Sequence, residues 1–155
     1  MAYSVTLVQG LPSTTGRGLA FLESSNDPEV NGKTVFDALR AKKKLDVFSR
    51  FQLWLAGERC DKYFHGWPSD KARKNLFVFK WSDPGGNQRL YGFLCHPRPR
   101  ALAFQACILV VHDQKEELTE ESTLNVVRRF MTLIEVLRAV AQAFQEDAPV
   151  NPKRR

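Results

Sequence analysis

Three basic residues of this chain could together bind a phosphate-rich ligand. Lys80 and Arg89 lie in two successive apolar runs, and Lys115 follows a third run by four residues. A guanidinium binds phosphate bidentately, and an ammonium adds a point charge. His112, three residues before Lys115, is the nearby side chain that titrates close to neutral pH. If neighbouring strands gather these residues, they form a site for a polyanion.

Four further residues are candidates for holding the remainder of such a ligand. Tyr91 lies two residues after Arg89 and so shares one face of the predicted strand with it. There its ring could stack on a base, or its hydroxyl could donate a proton. Arg98 and Arg100 lie in a Pro-rich turn, and Lys74 lies in a basic loop. The structural alternatives are a core position for Tyr91 and a solvated basic surface for the cations.

Three predicted strands must position these residues. They are the apolar runs Leu76–Trp81, Arg89–Cys95 and Ala103–Val111, separated by turn-forming segments. Connections this short predict antiparallel neighbours. The third run is apolar on both faces, which is typical of a central strand.

The remaining segments predict helices around this sheet and two short strands before it. The strands are Ser4–Val8 and Gly18–Leu22, and a basic helical segment runs from Lys33 to a stop at Gly57, either as one bent helix or as a helical hairpin. Residues 58–75 are predicted to form a basic loop. His65 and Trp67 could stack on RNA there, but we expect them to anchor the loop to the protein instead. Apolar spacing predicts one long helix over residues 120–145, with Thr119 as its N-cap.

Length, composition and charge bound the class of protein. A chain of 155 residues with 43% hydrophobic and 26% charged residues is typical of one soluble domain, here residues 1–146 with a mobile basic tail at 147–155. The net charge is +6, and its excess lies between Arg40 and Lys80, which favours a nucleic-acid or acidic partner. There is no membrane span, phosphate-binding glycine motif, nucleophile elbow or metal-ligand spacing, so we expect no cofactor, no metal and no membrane partner.

Four strings in this order resemble the RelE/ParE superfamily of bacterial toxin–antitoxin systems, most of all its phage-derived RelE-like branch. The strings are Asn75–Trp81, Gln88–Phe93, Ala106–His112 and Gln114–Glu121, and the likeness extends over residues 35–130. The resemblance implies an α+β fold, with a small antiparallel sheet, an N-terminal helix or helical hairpin and a long C-terminal helix. It also implies a cytoplasmic toxin that a cognate antitoxin protein neutralises.

The resemblance implies a role for each of the three cations. Lys80, Arg89 and Lys115 match basic residues that hold mRNA on the ribosome in RelE-like members, where the RNA is cleaved. Such an mRNA interferase is a metal-free endoribonuclease, in which the 2′-OH of the RNA attacks the adjacent phosphate. Arg89 would hold that phosphate, Lys80 and Lys115 the flanking charge, and His112 would be the acid or base.

The sequence leaves catalysis and target open. Several RelE-like members carry a Tyr or His near the C-terminus, whereas this chain has glutamates and no Tyr after Lys115. A non-catalytic ParE-like toxin that inhibits DNA gyrase is therefore the first alternative. A degenerate phage protein that binds nucleic acid or a partner helix is the second. The final helix could also cover a homodimer interface.

Overall fold

The protein, described here by a computed structural model over residues 2–114 and 120–145, folds into one mixed sheet flanked by helices. The strands are β1 Tyr3–Leu7, β2 Arg17–Ser24, β3 Phe64–Gly66, β4 Leu76–Asp83, β5 Gly86–Cys95 and β6 Gln105–Gln114. The helices are α1 Gly32–Ala38, α2 Ala41–Leu55, α3 Glu120–Met131 and α4 Ile134–Ala143. No helix in these two ranges has the length and apolarity that a membrane span requires.

The sheet has six strands in the order β1-β2-β6-β5-β4-β3. The predicted antiparallel arrangement of the three main strands, β4, β5 and β6, is confirmed, and β6 lies in the interior of the sheet as its two apolar faces predicted. The predicted small antiparallel sheet is corrected, because the sheet has six strands and β2 pairs with β6 in parallel. The pairing joins segments more than 80 residues apart, and no local pattern in β2 specifies that partner.

Each face of the sheet is covered by its own pair of helices. On the helix 1–2 face, α1 and α2 pack apolar side chains against alternate residues of the strands, among them Phe36, Phe51, Trp54, Phe79 and Leu109. On the helix 3–4 face, α3 and α4 cover the other alternate residues, among them Val78, Tyr91, Ile108, Val127 and Phe130. Alternate residues of a strand therefore contribute to two separate cores, except at the irregularity in β6, where Val110 and Val111 both belong to the helix 3–4 core.

The predicted continuous helix over residues 120–145 is wrong. It is interrupted at Leu133, whose backbone is extended, and α4 starts again at Ile134. The buried side chains show why: α3 buries Val127 and Phe130, whereas α4 buries Val136 and Val140, a spacing that one straight helix cannot keep on one side. The break turns α4 so that it packs along β1 at the edge of the sheet.

Two features of the basic segment add detail to the sequence-based expectation. The segment from Lys33 forms two helices, and Gly57, with a positive φ of 86°, ends the second as predicted. The predicted loop 58–75 contains the edge strand β3 and a single 3-10 turn at Lys71–Arg73. A three-residue strand is too short to leave an alternation pattern, so the sequence could not reveal it.

Candidate functional site

Lys80 and Arg89 are directly opposite each other on neighbouring strands. The register of β4 and β5 pairs Lys80 with Arg89, and the register of β5 and β6 pairs Arg89 with Asp113. We call these three residues the cross-strand row. Val78 and Tyr91, the next residues of the same parity, belong to the helix 3–4 core, so the row lies on that face of the sheet.

Arg89 has a backbone hydrogen bond but no ion pair among the described residues. Its Nη1 donates to the carbonyl oxygen of Gln88 at 3.2 Å. Within residues 2–114 and 120–145, no carboxylate lies within ion-pair distance of its guanidinium. The Asp113 carboxylate instead accepts a hydrogen bond from the Thr123 hydroxyl at 2.6 Å. Arg89 is partly exposed, and its guanidinium has further N–H groups that can donate to a ligand acceptor.

Of the two other predicted catalytic residues, the structure describes only His112, and His112 does not join this row. Lys115 and the predicted N-cap Thr119 lie outside the described residues, as does the predicted tail 147–155. His112 is paired with Leu90, so its side chain is on the helix 1–2 face, opposite to Arg89. The expectation that His112 lies beside the cations is thus corrected, because its position in the register differs by one residue from that of Asp113.

A different histidine, His65 on β3, lies on the same face of the sheet as the cross-strand row. It pairs with Val78, two residues before Lys80, and so shares the face of Lys80. Burial lowers the pKa of His65, and the charge of Lys80 lowers it further, which favours the neutral imidazole. His65 Nδ1 lies 2.8 Å from the carbonyl oxygen of Gly66, which can only accept, so Nδ1 carries the proton. The neutral ring therefore keeps its lone pair on Nε2.

Tyr91 and Glu120, the first residue of α3, lie next to the cross-strand row. Tyr91 is only 2% exposed, and its hydroxyl lies 3.5 Å from Glu120 Oε1. Burial and the Glu120 charge raise the pKa of Tyr91. Tyr91 is thus a core residue, and its buried ring offers no face on which a base could stack.

Arg73 connects the loop after β3 to the same end of α3. Its guanidinium lies over the Trp67 ring at 5.2 Å and pairs with Glu120 and Glu121 at 3.5 and 3.1 Å. The His65 and Trp67 rings are in edge contact, with centroids 5.0 Å apart. The loop anchoring predicted for His65 and Trp67 is present, and the anchor fixes the wall of the site beside Lys80.

The predicted substrate-binding cations lie in different surroundings. Arg98 stacks on Phe104 at 3.8 Å and donates from Nε to the carbonyl oxygen of Phe144, just after α4, so it has structural contacts of its own. Arg100 and Lys74 are both exposed in connecting segments. None of the three shares the register of the cross-strand row.

Cys95 and Cys107 are not activated nucleophiles. Burial raises the pKa of Cys95 to about 12 and that of the fully buried Cys107 well above its usual value. Both thiols therefore stay protonated near neutral pH. No group of three His, Cys, Asp or Glu residues in the described ranges is arranged to hold a metal ion.

Stability should fall when the pH is lowered from 7.5 to 5.5. Burial lowers the pKa of both His65 and His112, so the unfolded chain binds protons at a higher pH than the folded protein does. Stability is then lost as pH falls through 6.5, the ordinary histidine value. Urea unfolding at the two pH values measures the change. The double variant His65→Gln/His112→Gln should reduce it, and an unchanged dependence in that variant would contradict the assignment.

No protein-family model, curated protein or solved structure matches this chain. The resemblance to the RelE/ParE superfamily therefore rests on the sequence strings alone. The function must therefore be inferred from the geometry of the site itself. Lys80 and Arg89 lie opposite each other, the neutral His65 shares their face, and carboxylates lie close to them.

Proposed function

We propose that this chain is a RelE-like toxin whose two row cations, Lys80 and Arg89, bind the phosphate backbone of mRNA. The observation that supports the proposal most directly is the register pairing of Lys80 with Arg89, two cations on one face with His65 beside them. A phosphate group can accept hydrogen bonds from a guanidinium and an ammonium that lie opposite each other on neighbouring strands. Helices α1 and α2, then the antiparallel strands β4, β5 and β6, then α3 follow one another in the order that the resemblance implies.

The same residues suggest how RNA could be cleaved without a metal. The 2′-OH would lose its proton to Nε2 of His65 and attack the adjacent phosphorus, while the bond from phosphorus to the 5′-oxygen breaks. Arg89 and Lys80 would stabilise the additional negative charge on the phosphoryl oxygens. The imidazolium, or water, would then return a proton to the 5′-oxygen. The products would be a 2′,3′-cyclic phosphate and a 5′-hydroxyl end.

A specific observation favours a second candidate, the non-catalytic ParE-like toxin. Asp113 belongs to the row itself, Glu120 and Glu121 pair with Arg73 at the start of α3, and the hydroxyl of the buried Tyr91 lies 3.5 Å from Glu120. Negative charge beside the phosphate would oppose the development of further negative charge during cleavage. A protein target such as gyrase would tolerate this mixture of charges.

Controlled expression with RNA end-mapping separates these alternatives. We expect growth arrest with new 5′-hydroxyl ends inside translated mRNAs, and loss of both with Arg89→Ala. The control is Arg138→Ala, an exposed arginine on α4 outside the site. DNA damage with intact mRNA would instead support the gyrase alternative. Harmless expression of the folded wild-type protein would refute both toxin functions.

His65→Gln tests the assignment of the base separately from RNA binding. Gln keeps hydrogen-bonding capacity but cannot take up a proton near neutral pH. We expect at least a 10²-fold slower cleavage, in line with general acid–base catalysis, with RNA affinity nearly unchanged. Single-turnover cleavage of a model mRNA and filter binding measure the two quantities. Equal cleavage rates for His65→Gln and wild type would remove His65 from the mechanism.

A further inference from the structure

An apolar groove lies on the helix 1–2 face, between the end of β1 and the helices α1 and α2. It has a volume of about 690 Å³, which is within the usual range for sites of small organic ligands. Val8 and Phe21 line the side of the sheet, and Phe36, Leu45 and Phe48 line the side of the helices. None of the residues that line it belongs to the cross-strand row, which is on the opposite face.

Part of the apolar lining of this groove is exposed to solvent. Leu45 is 70% exposed, and Phe48, three residues later on α2, is also partly exposed. The buried rings of Phe21 and Phe36 form the floor, with their centroids 5.5 Å apart. A hydrocarbon chain in the groove would remove the exposed part of this surface from water, which is the main favourable contribution to the binding of an apolar group.

Two lysines and one aspartate form the rim of the groove beside α1. Lys33 Nζ pairs with Asp37 Oδ2 at 2.6 Å, whereas Lys44 Nζ donates to the backbone carbonyl oxygen of Asp37 at 2.9 Å. No carboxylate of the described residues lies within ion-pair distance of Lys44. Because two ammonium groups share one carboxylate, the rim carries a single net positive charge.

The charge of the rim and the lining of the groove together indicate a class of ligand. A single net positive charge matches a head group with one negative charge, such as a carboxylate, whereas a phosphate monoester carries about 1.5 to 2 negative charges near pH 7. Lys44 lies beside the apolar wall, since its Nζ is 5.6 Å from the centroid of the Phe36 ring. The ligand should therefore carry its anionic group at one end of an apolar chain.

We propose that this groove binds a fatty acid, with the carboxylate at Lys44 and the hydrocarbon chain along Leu45 and Phe48. An ammonium group is a point charge that can donate to either carboxylate oxygen. The polar residues Thr6 and Gln9 line the groove at the end of β1, away from the apolar helical wall. The site goes beyond the proposed action on mRNA, because it lies on the other face of the sheet and uses none of the same residues.

Isothermal titration calorimetry of the full chain with decanoate, below its micelle concentration, tests the proposal. We expect one decanoate to bind per chain. Butanoate and decyltrimethylammonium should each bind at least about tenfold more weakly, because the first lacks most of the apolar chain and the second lacks the negative charge. No binding of decanoate at millimolar concentration, or equal affinity for decanoate and decyltrimethylammonium, would overturn the proposal. Binding to phosphatidylglycerol vesicles without binding to decanoate would overturn it in favour of a membrane surface.

Variants test the two ends of the ligand separately, with folding checked by circular dichroism. Lys33→Gln/Lys44→Gln should weaken decanoate binding at least about tenfold, most strongly at low salt, and unchanged affinity would refute the position of the carboxylate. Leu45→Asp places a charge beside the chain and should also weaken binding. Its control is Leu53→Asp on the same helix, at a position that is 36% exposed and outside the groove. Equal affinities for these two variants would refute the position of the chain.

Arg89→Ala keeps this test independent of the proposed toxin function. The variant should retain decanoate binding whatever its effect on RNA, because Arg89 lies on the other face of the sheet. Loss of decanoate binding in folded Arg89→Ala would show that the groove is not a separate site.

Discussion

Phe51→Ala is expected to lower the free energy of unfolding by about 3–5 kcal/mol, the usual cost of removing a fully buried phenylalanine. Phe51 is 0% exposed in the centre of the helix 1–2 core. Its ring packs against the rings of Phe21, Phe36 and Phe79, with centroids 5.0 to 6.4 Å apart. These neighbours come from β2, α1 and β4, so the cavity left by the ring cannot be filled by a single shift of α2. Urea denaturation followed by circular dichroism measures the effect.

Leu45→Ala is the matched control for Phe51→Ala. Leu45 belongs to the same helix, but its side chain is 70% exposed. Its truncation should change the free energy of unfolding by less than about 0.5 kcal/mol, as for most surface substitutions. Similar losses for the two variants would mean that α2 does not pack on the sheet as described.

Gly92→Ala is expected to destabilise the protein by about 3 kcal/mol, near the upper end of the usual range for overpacking a core. Gly92 lies at the irregularity in the pairing of β5 with β6, where the register shifts between Tyr91 and Gly92. A Cβ at this position would overlap the backbone carbonyl oxygen of Ile108. A backbone atom of an interior strand cannot move aside as the end of a flexible side chain can. Thermal and urea unfolding measure the loss.

Gly16→Ala is the control for the added methyl group. A Cβ at Gly16 meets no described atom within 4 Å, and the position lies in a loop. The same substitution there should be neutral or slightly stabilising, because it reduces the entropy of the unfolded chain. If Gly92→Ala were equally neutral, the close approach of β5 and β6 at this point would be wrong.

Local patterns in the sequence were sufficient for most of the elements. Period-two alternation located β4 and β5, and continuous apolarity located β6 as an interior strand. Helical spacing and Gly57 located α2 and its end, and the acidic pair Glu120–Glu121 marked the start of α3. These signals depend on the burial of one face and on backbone preferences, which neighbouring residues determine by themselves.

Long-range packing decided what the sequence did not predict. The parallel pairing of β2 with β6 joins distant segments, and β3 becomes a strand only because β4 offers it an edge. No Gly or Pro lies at the break at Leu133, so the sequence around it gives no local signal for the end of a helix. It arises because α4 must turn to bury Val136 and Val140 over the outer strands.

The candidate site divides in the same way. Alternation alone placed Lys80 with Val78 and Arg89 with Tyr91, so the sequence determined that each cation shares a face with its strand neighbours. Only the register between strands brought Lys80 opposite Arg89, placed His112 on the reverse face and brought His65 to the row. A shift of one residue in that register exchanges the two faces, and the register is fixed by the packing of both helical layers on the sheet rather than by any single strand.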